Sequence, residues 1–371
     1  MESFFKIKNY WRNVEKQILF SFLLLFILGI FFSFSSTSFL ADERLNKGSY
    51  FFFQKHLFYA AISFFLMIFI STINTKILNK SFLPVFLFFL LLLVLVPFFG
   101  VEVKGAKRWL NFYIFRFQPV EFIKPFFILL IAQIISSNFI KNLNFGYLLS
   151  FSILSILILL LVIQPDLGQS VLLVCTWISL VFVSGVNIFY LLLILISVTL
   201  SFSFLVYLIP EKFNYIISRL TAFLDPERSI NFQAQKASEA IKQGGIKGQG
   251  MGEGILKESV PEAHTDYIIA IVSEEFGSIA SILIITIFLF VAFRIVKKIL
   301  NFSNNFYKLA LCGLMSLLIF QAFIHVGVNA NLLPTTGMTL PFLSYGGSSL
   351  ISSGIVAGII LNYTSINERL E

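Results

Sequence analysis

The sequence predicts an all-α polytopic membrane protein with about ten transmembrane helices. Three observations predict it. The 371 residues are 57% hydrophobic and only 12% charged, where a soluble domain carries about a quarter charged residues. The mean hydropathy is +0.89. Apolar runs of membrane-spanning length, about 20 residues, recur along the whole chain with mostly short connections.

The leading segment, MESFFKIKNYWRNVEKQ, is basic and precedes an apolar run from Ile18. That run is too long for a signal-peptide core and lacks a clear small-residue cleavage site. It reads as a first span that is retained. The spans are expected at 18–38, 55–73, 82–100, 119–137, 146–164, 168–185, 188–209, 267–293, 306–328 and 346–363. Each must be helical, because the bilayer core offers no water to open backbone. One connection is long. Residues 210–266 begin at Pro210 and hold an amphipathic helix, INFQAQKASEAIKQ, ended by Gly244-Gly245. GGIKGQGMGEG follows. It fits no nucleotide-binding pattern and reads as a flexible lid or groove wall. The chain reads as one domain, 1–371, with no internal repeat, which speaks against an inverted-repeat transporter.

An even number of spans puts both termini on one side. Lys6, Lys8, Arg12 and Lys16 favour cytoplasmic termini, and Arg294, Lys297, Lys298 and Lys308 agree. The loop 210–266 between spans seven and eight is then external. So are Lys104, Lys107, Arg108 and Arg116, against the usual charge rule. Basic residues on that face suit an anionic ligand. The net charge of +8 therefore points to lipid headgroups and lipid phosphates. It does not point to nucleic acid, for which no motif is present. Cys175 and Cys312 lie in apolar spans as small hydrophobes and form no disulfide framework.

Ionisable residues within spans or at their mouths are costly and mark cavities. In QPVEFIKP, Pro119 suits a first helical turn, and Glu121 and Lys124 are one turn apart. They form either a structural ion pair or, with Lys107 and Arg108, a cationic shelf for phosphate. Gln118 sits on much the same side. In QPDLGQ, Asp166 caps the next helix or orients a cation. In PEAHTDYIIAIVSEEFG, His264 or Thr265 caps span eight and leaves Asp266 at its outer mouth, where a carboxylate suits the helix dipole. Glu274 is roughly 12 Å deeper and turned by about 80°, and Glu275 is on the far side. The three acids therefore form no single cluster. In NLLPTTGMTLPFLSYGGSS the density of Pro, Gly, Thr and Ser reads as a broken stretch entering span ten. His325 reads as a helix-bridging group.

Five blocks then resemble the SEDS family (shape, elongation, division and sporulation) in order and over nearly the full length. They are KGAKRWLNFYIFRFQPVEFIKP, QPDLGQS, GQGMGEG, PEAHTDYIIAIVSEEFG and LPTTGMTLPFLSYGGSS. PEAHTD and PTTGMTLPFLSYGGSS are more similar to the division branch than to the elongation branch. Gln164, Val120 and Tyr267 are minor departures. The resemblance implies a ten-span fold with cytoplasmic termini. It implies a peptidoglycan glycosyltransferase that polymerises lipid II at the outer face of the cytoplasmic membrane. By motif, Asp266 is the residue essential for polymerisation. Glu121, Lys124, Arg108 and Trp109 fall on functionally important positions, and Gln118, Asp166, His264, Thr265 and Ser344 are expected at the substrate. The implied partners are a class B penicillin-binding protein, the transpeptidase, and other divisome proteins.

On that reading Asp266 is the base for the acceptor hydroxyl. Lys107, Arg108, Lys124, Lys104 and a divalent cation, Mg²⁺ or Mn²⁺, meet the departing diphosphate. The loop 244–254 lines the groove where polymer leaves. No organic cofactor is expected. The rival readings are a lipid II flippase and a divisome scaffold.

Overall fold

The computed structural model describes residues 10–37, 50–103, 105–111, 116–137, 143–189, 210–225, 232–256 and 262–366, with single positions 192, 196, 207 and 260. The helices, in chain order, are α1 (Tyr10–Asn13), α2 (Lys16–Thr37), α3 (Phe51–Thr72), α4 (Thr75–Phe99), α5 (Pro119–Ser136), α6 (Leu143–Ile163), α7 (Leu167–Val183), α8 (Pro210–Leu224), α9 (Phe232–Gly244), α10 (Ile268–Ile299), α11 (Asn305–Asn329) and α12 (Gly347–Thr364). Eight are long and apolar enough to cross a bilayer, and α7 is a shorter apolar helix. Each lies on an expected span. The remaining expected span, 188–209, falls largely outside the described residues.

The helices sort into an inner and an outer set. α5, α11 and α12 are buried over most of their length, whereas α3, α4 and α6 are mostly outward-facing. The outward side chains include Phe58, Phe65, Leu87, Phe88 and Leu91. Apolar surface of that extent requires lipid. The chain is a multi-pass membrane protein.

Inner packing relies on small residues. At Gly354 of α12 any Cβ would collide with the Ser63 carbonyl of α3, and the Ser63 hydroxyl donates to the Leu350 carbonyl at 2.5 Å. Asn362 then closes the other end of α3, donating to the Ile73 carbonyl at 2.7 Å and the Ile70 carbonyl at 3.0 Å.

Two features add to the expected helical architecture. One is a small sheet. The basic loop after α4 forms an antiparallel sheet, β1 (Val101–Val103), β2 (Ala106–Asn111) and β3 (Arg116–Phe117), in the order β1-β2-β3. Strand pairing satisfies backbone groups in a segment too short and too polar to span. The connection 210–266 also holds two helices among its described residues, α8 and α9, where one was expected. Pro210 opens the extra one, as proline at a first helical turn can.

Candidate functional site

A cavity of about 470 Å³ opens where these pieces meet. Four helices begin at it. Gln118, Asp166, Tyr267 and Gly346 are the residues immediately before α5, α7, α10 and α12, and all four line the cavity. Helix starts carry unpaired N–H groups and the positive end of the helix dipole, so their convergence favours an anion. Arg108, Arg116 and Arg219 line the same space.

Asp266 is half-buried and lines the cavity. Its segment turns sharply: Glu262 has φ 57°, and its carbonyl accepts from the N–H groups of Thr265 and Asp266 at 3.0 and 3.1 Å. Asn329 of α11 holds the turn from behind. Its amide donates to the Asp266 carbonyl at 3.0 Å and accepts from the Ala270 N–H at 3.2 Å. Gly337 faces the carboxyl, where a Cβ would stand 3.3 Å from Oδ2. Neither His264 nor Thr265 caps α10, contrary to expectation. The boundary residue is Tyr267, without a side-chain cap, and the Thr265 hydroxyl donates to the Glu262 carboxylate at 3.0 Å. The extra turn around Glu262 displaces both residues from the capping position.

Asp166 does both things expected of it. It caps α7 by accepting from the Gln169 N–H at 3.5 Å. It also stands 3.9 Å from the Arg108 guanidinium and accepts from the Gln118 amide at 3.2 Å. Arg108 is further fixed by the carbonyls of Gln164, at 3.1 Å, and Pro165. Burial pushes the Asp166 carboxyl above its ordinary value, and Arg108 pulls it part of the way back.

Glu121 and Lys124 form an ion pair of 2.7 Å. The Gln169 amide donates to Glu121 at 2.5 Å. The ammonium of Lys124 also reaches the Gln169 and Gln321 side-chain oxygens at 3.0 and 3.4 Å. Gln321 in turn donates to the Thr339 carbonyl at 3.0 Å. Glu121 lines the cavity, whereas Lys124 lies behind it. The cationic shelf therefore does not include Lys124, whose ammonium is engaged by three acceptors in the interior.

Trp109 and Thr265 also line the cavity, whereas Lys107, His264 and Ser344 do not. Lys107 is exposed on β2, one residue before Arg108. His264 packs between the rings of Phe52, at 4.6 Å, and Tyr345, at 5.6 Å. Ser344 accepts from the Leu340 N–H at 2.8 Å and closes a turn. Lys104 lies outside the described residues. The glycine-rich loop 244–254 does not line the cavity either; it is bonded against α10.

Side chains satisfy three carbonyls of the broken stretch before α12, those of Thr335, Met338 and Thr339. His325 Nδ1 bonds the Met338 carbonyl at 2.7 Å, and Arg219 donates to the Thr335 carbonyl at 2.5 Å. Arg219, Glu262, Thr339 and Tyr345 are cavity residues that the sequence did not single out. The amphipathic pattern of α8 was the available signal for Arg219. Glu274 and Glu275 are buried and bond elsewhere, to the Leu256 N–H at 2.7 Å and to the Ser35 hydroxyl.

Residues 15–369 match the sequence profile of the cell cycle protein family FtsW/RodA/SpoVE. A probable peptidoglycan glycosyltransferase FtsW from Caulobacter vibrioides is 35% identical over 95% of this chain and 89% of its own length. Stage V sporulation protein E from Bacillus subtilis is 34% identical over 92% and 94%. Among solved structures, RodA from Thermus thermophilus superposes with a TM-score of 0.71 at 22% identity, covering 95% of this chain and 97% of its own. A chain from a study of how a peptidoglycan synthase complex coordinates polymerization and crosslinking gives 0.75 at 24% identity, with the same coverage. With the profile covering almost the whole chain and the fold shared along its length, this protein belongs to the FtsW/RodA/SpoVE family of cell cycle proteins, the SEDS family.

Proposed function

We propose that this protein is a peptidoglycan glycosyltransferase that polymerises lipid II. The observation that carries the reading is the Asp266 carboxylate, one of four acidic side chains (with Glu121, Asp166 and Glu262) lining a cavity where four helix starts and three arginines gather. Relatives of similar length and about one-third identity bear the name peptidoglycan glycosyltransferase FtsW.

The chemistry follows from the charges. Asp266 accepts the proton of the N-acetylglucosamine 4-hydroxyl of one lipid II. The freed oxygen attacks the anomeric carbon of the other substrate with inversion. The bond from that carbon to the diphosphate oxygen breaks, and the diphosphate leaves with the electron pair. Arg108, Arg116, Arg219 and the helix starts stabilise the growing negative charge. Asp166 and the Gln164 and Pro165 carbonyls hold Arg108 in orientation. The described residues bring no three His, Cys, Asp or Glu side chains together for a metal. A divalent cation therefore enters the proposal only as a partner of the substrate's phosphates, and no step runs through it.

We place the cavity at the outer face of the bacterial cytoplasmic membrane, with both termini inside and the chain at the division septum. The match to a family of cell cycle proteins supports the septal role. The class B penicillin-binding protein remains the proposed partner, supported by the fold shared with a synthase-complex chain. The occupied side chains of Glu274 and Glu275 speak against the flippase reading, because they would have to continue a charged path inward. The test is purified protein with lipid II in detergent, where no bilayer exists to be crossed. Polymer from the wild type and none from Asp266→Asn is expected. A wild type that makes no polymer, alone or with its transpeptidase, removes the proposal.

A further inference from the structure

The glycine-rich loop is bonded into a break in α10. Gly277 has φ 80° and ψ 171° inside Ile268–Ile299. In an unbroken helix the Ser278 N–H would donate to the Glu274 carbonyl four residues back. Here it donates to the Gly245 carbonyl at 2.9 Å, and the Glu274 carbonyl accepts from the Gln249 N–H at 2.9 Å. The Glu275 carbonyl accepts from the Gly250 N–H at 3.0 Å. The loop thus supplies partners that the break removes, in a segment where lipid cannot.

This exchange needs backbone against backbone. A Cβ at Gly248 would collide with the Glu275 carbonyl, and one at Gly277 with the Ile246 carbonyl; both residues have positive φ. The Glu275 side chain completes the join by accepting from the Ser35 hydroxyl of α2. The stretch 268–276 is therefore held at its rear by the loop and by the first span. At its front it is held by Asn329, beside Asp266. Glu275 is 1% exposed and lines no part of the cavity.

We propose that Glu275 is a positioning residue for Asp266. By tying the broken helix to α2, it sets the depth and rotation at which the Asp266 carboxyl enters the cavity. The proposal rests on Asp266 being the base. Misplacement by about 1 Å is enough to lower a rate on the order of hundredfold.

The experiment compares wild type, Glu275→Ala and Glu275→Gln in detergent, by amide hydrogen exchange and by lipid II polymerisation over a pH series. Glutamine keeps an oxygen able to accept from Ser35. Glu275→Ala is expected to speed exchange in 266–276 and to lower kcat by about tenfold to hundredfold with KM unchanged. Glu275→Gln is expected to restore most of both. Unchanged exchange in 266–276, or a kcat loss that glutamine does not restore, overturns the proposal. If Glu275→Ala does not fold, Ser35→Ala removes the same bond from the other side. It is expected to give the same pattern, and wild-type behaviour there overturns the proposal. A wild type inactive on lipid II removes the catalytic reading of Asp266 alone; the exchange data still decide whether Glu275 sets the 266–276 segment.

Discussion

The Lys124 ammonium stands 2.7 Å from the Glu121 carboxylate, with side chains 1% and 4% exposed. The pair is i, i+3 on α5, and its other bonds run to α7 and α11 through Gln169 and Gln321. It joins three helices by charge where apolar packing would ordinarily do so. Removing one member leaves the other charged and buried, which costs about 3–5 kcal/mol.

Lys124→Ala is therefore expected to lose stability first. Thermal unfolding in detergent should show a large drop, with activity falling in proportion to folded protein. The double variant Glu121→Gln/Lys124→Met should recover most of the stability, because it buries no unpaired charge. A stable but inactive Lys124→Ala would restore the phosphate-binding role.

Asp266→Asn should leave the fold intact. The Asp266 carbonyl and N–H hold the segment, and asparagine keeps both. Polymerisation should fall by about 10²–10⁴-fold, the usual contribution of a general base. Rates near wild type, at equal protein and lipid II, would exclude Asp266 from proton transfer.

Asp166→Asn separates charge from capping. Asparagine still caps α7. Burial raises the Asp166 carboxyl above the ordinary carboxylate value, so the folded state binds this proton more tightly than the unfolded state. The wild type then loses stability as pH rises above that value. The variant should be at least as stable as wild type at pH 7, with the difference closing as pH falls below about 4. Its activity should drop, because Arg108 loses its acidic partner. Unfolding temperatures and polymerisation rates across pH check both halves.

Arg219→Ala removes the donor to the Thr335 carbonyl and a cation from the cavity. A charge-assisted hydrogen bond contributes about 1.5–3 kcal/mol, so losing one made to the departing diphosphate should lower kcat/KM by about tenfold or more. Arg219→Lys should recover part of it. Unchanged kinetics would assign Arg219 to loop packing.

Much of the fold is legible before any coordinates. Long apolar runs mark the spans, and Pro119 and Asp166 mark helix starts by local chemistry alone. The paired roles of Glu121 and Lys124 follow from one helical turn. Other features are not legible. β2 and β3 depend on partners across a loop. The break at Gly277 depends on a loop nearly thirty residues earlier in the chain, and one glycine in an apolar run says nothing of it.

The sequence by itself determined that this chain spans a membrane many times and that Asp266 stands at the polar mouth of a span, although the structure places it in the turn before α10 and not in the first helical turn. Both the spans and the mouth depend on a local quantity, hydropathy over about 20 residues. Only the tertiary structure decided that the starts of α5, α7, α10 and α12 meet at one cavity with Arg108, Arg116 and Arg219, and that Lys124 stays behind its wall. Those facts depend on how helices far apart in sequence pack together, and packing is a property of the whole assembly of side chains, not of any window along the chain.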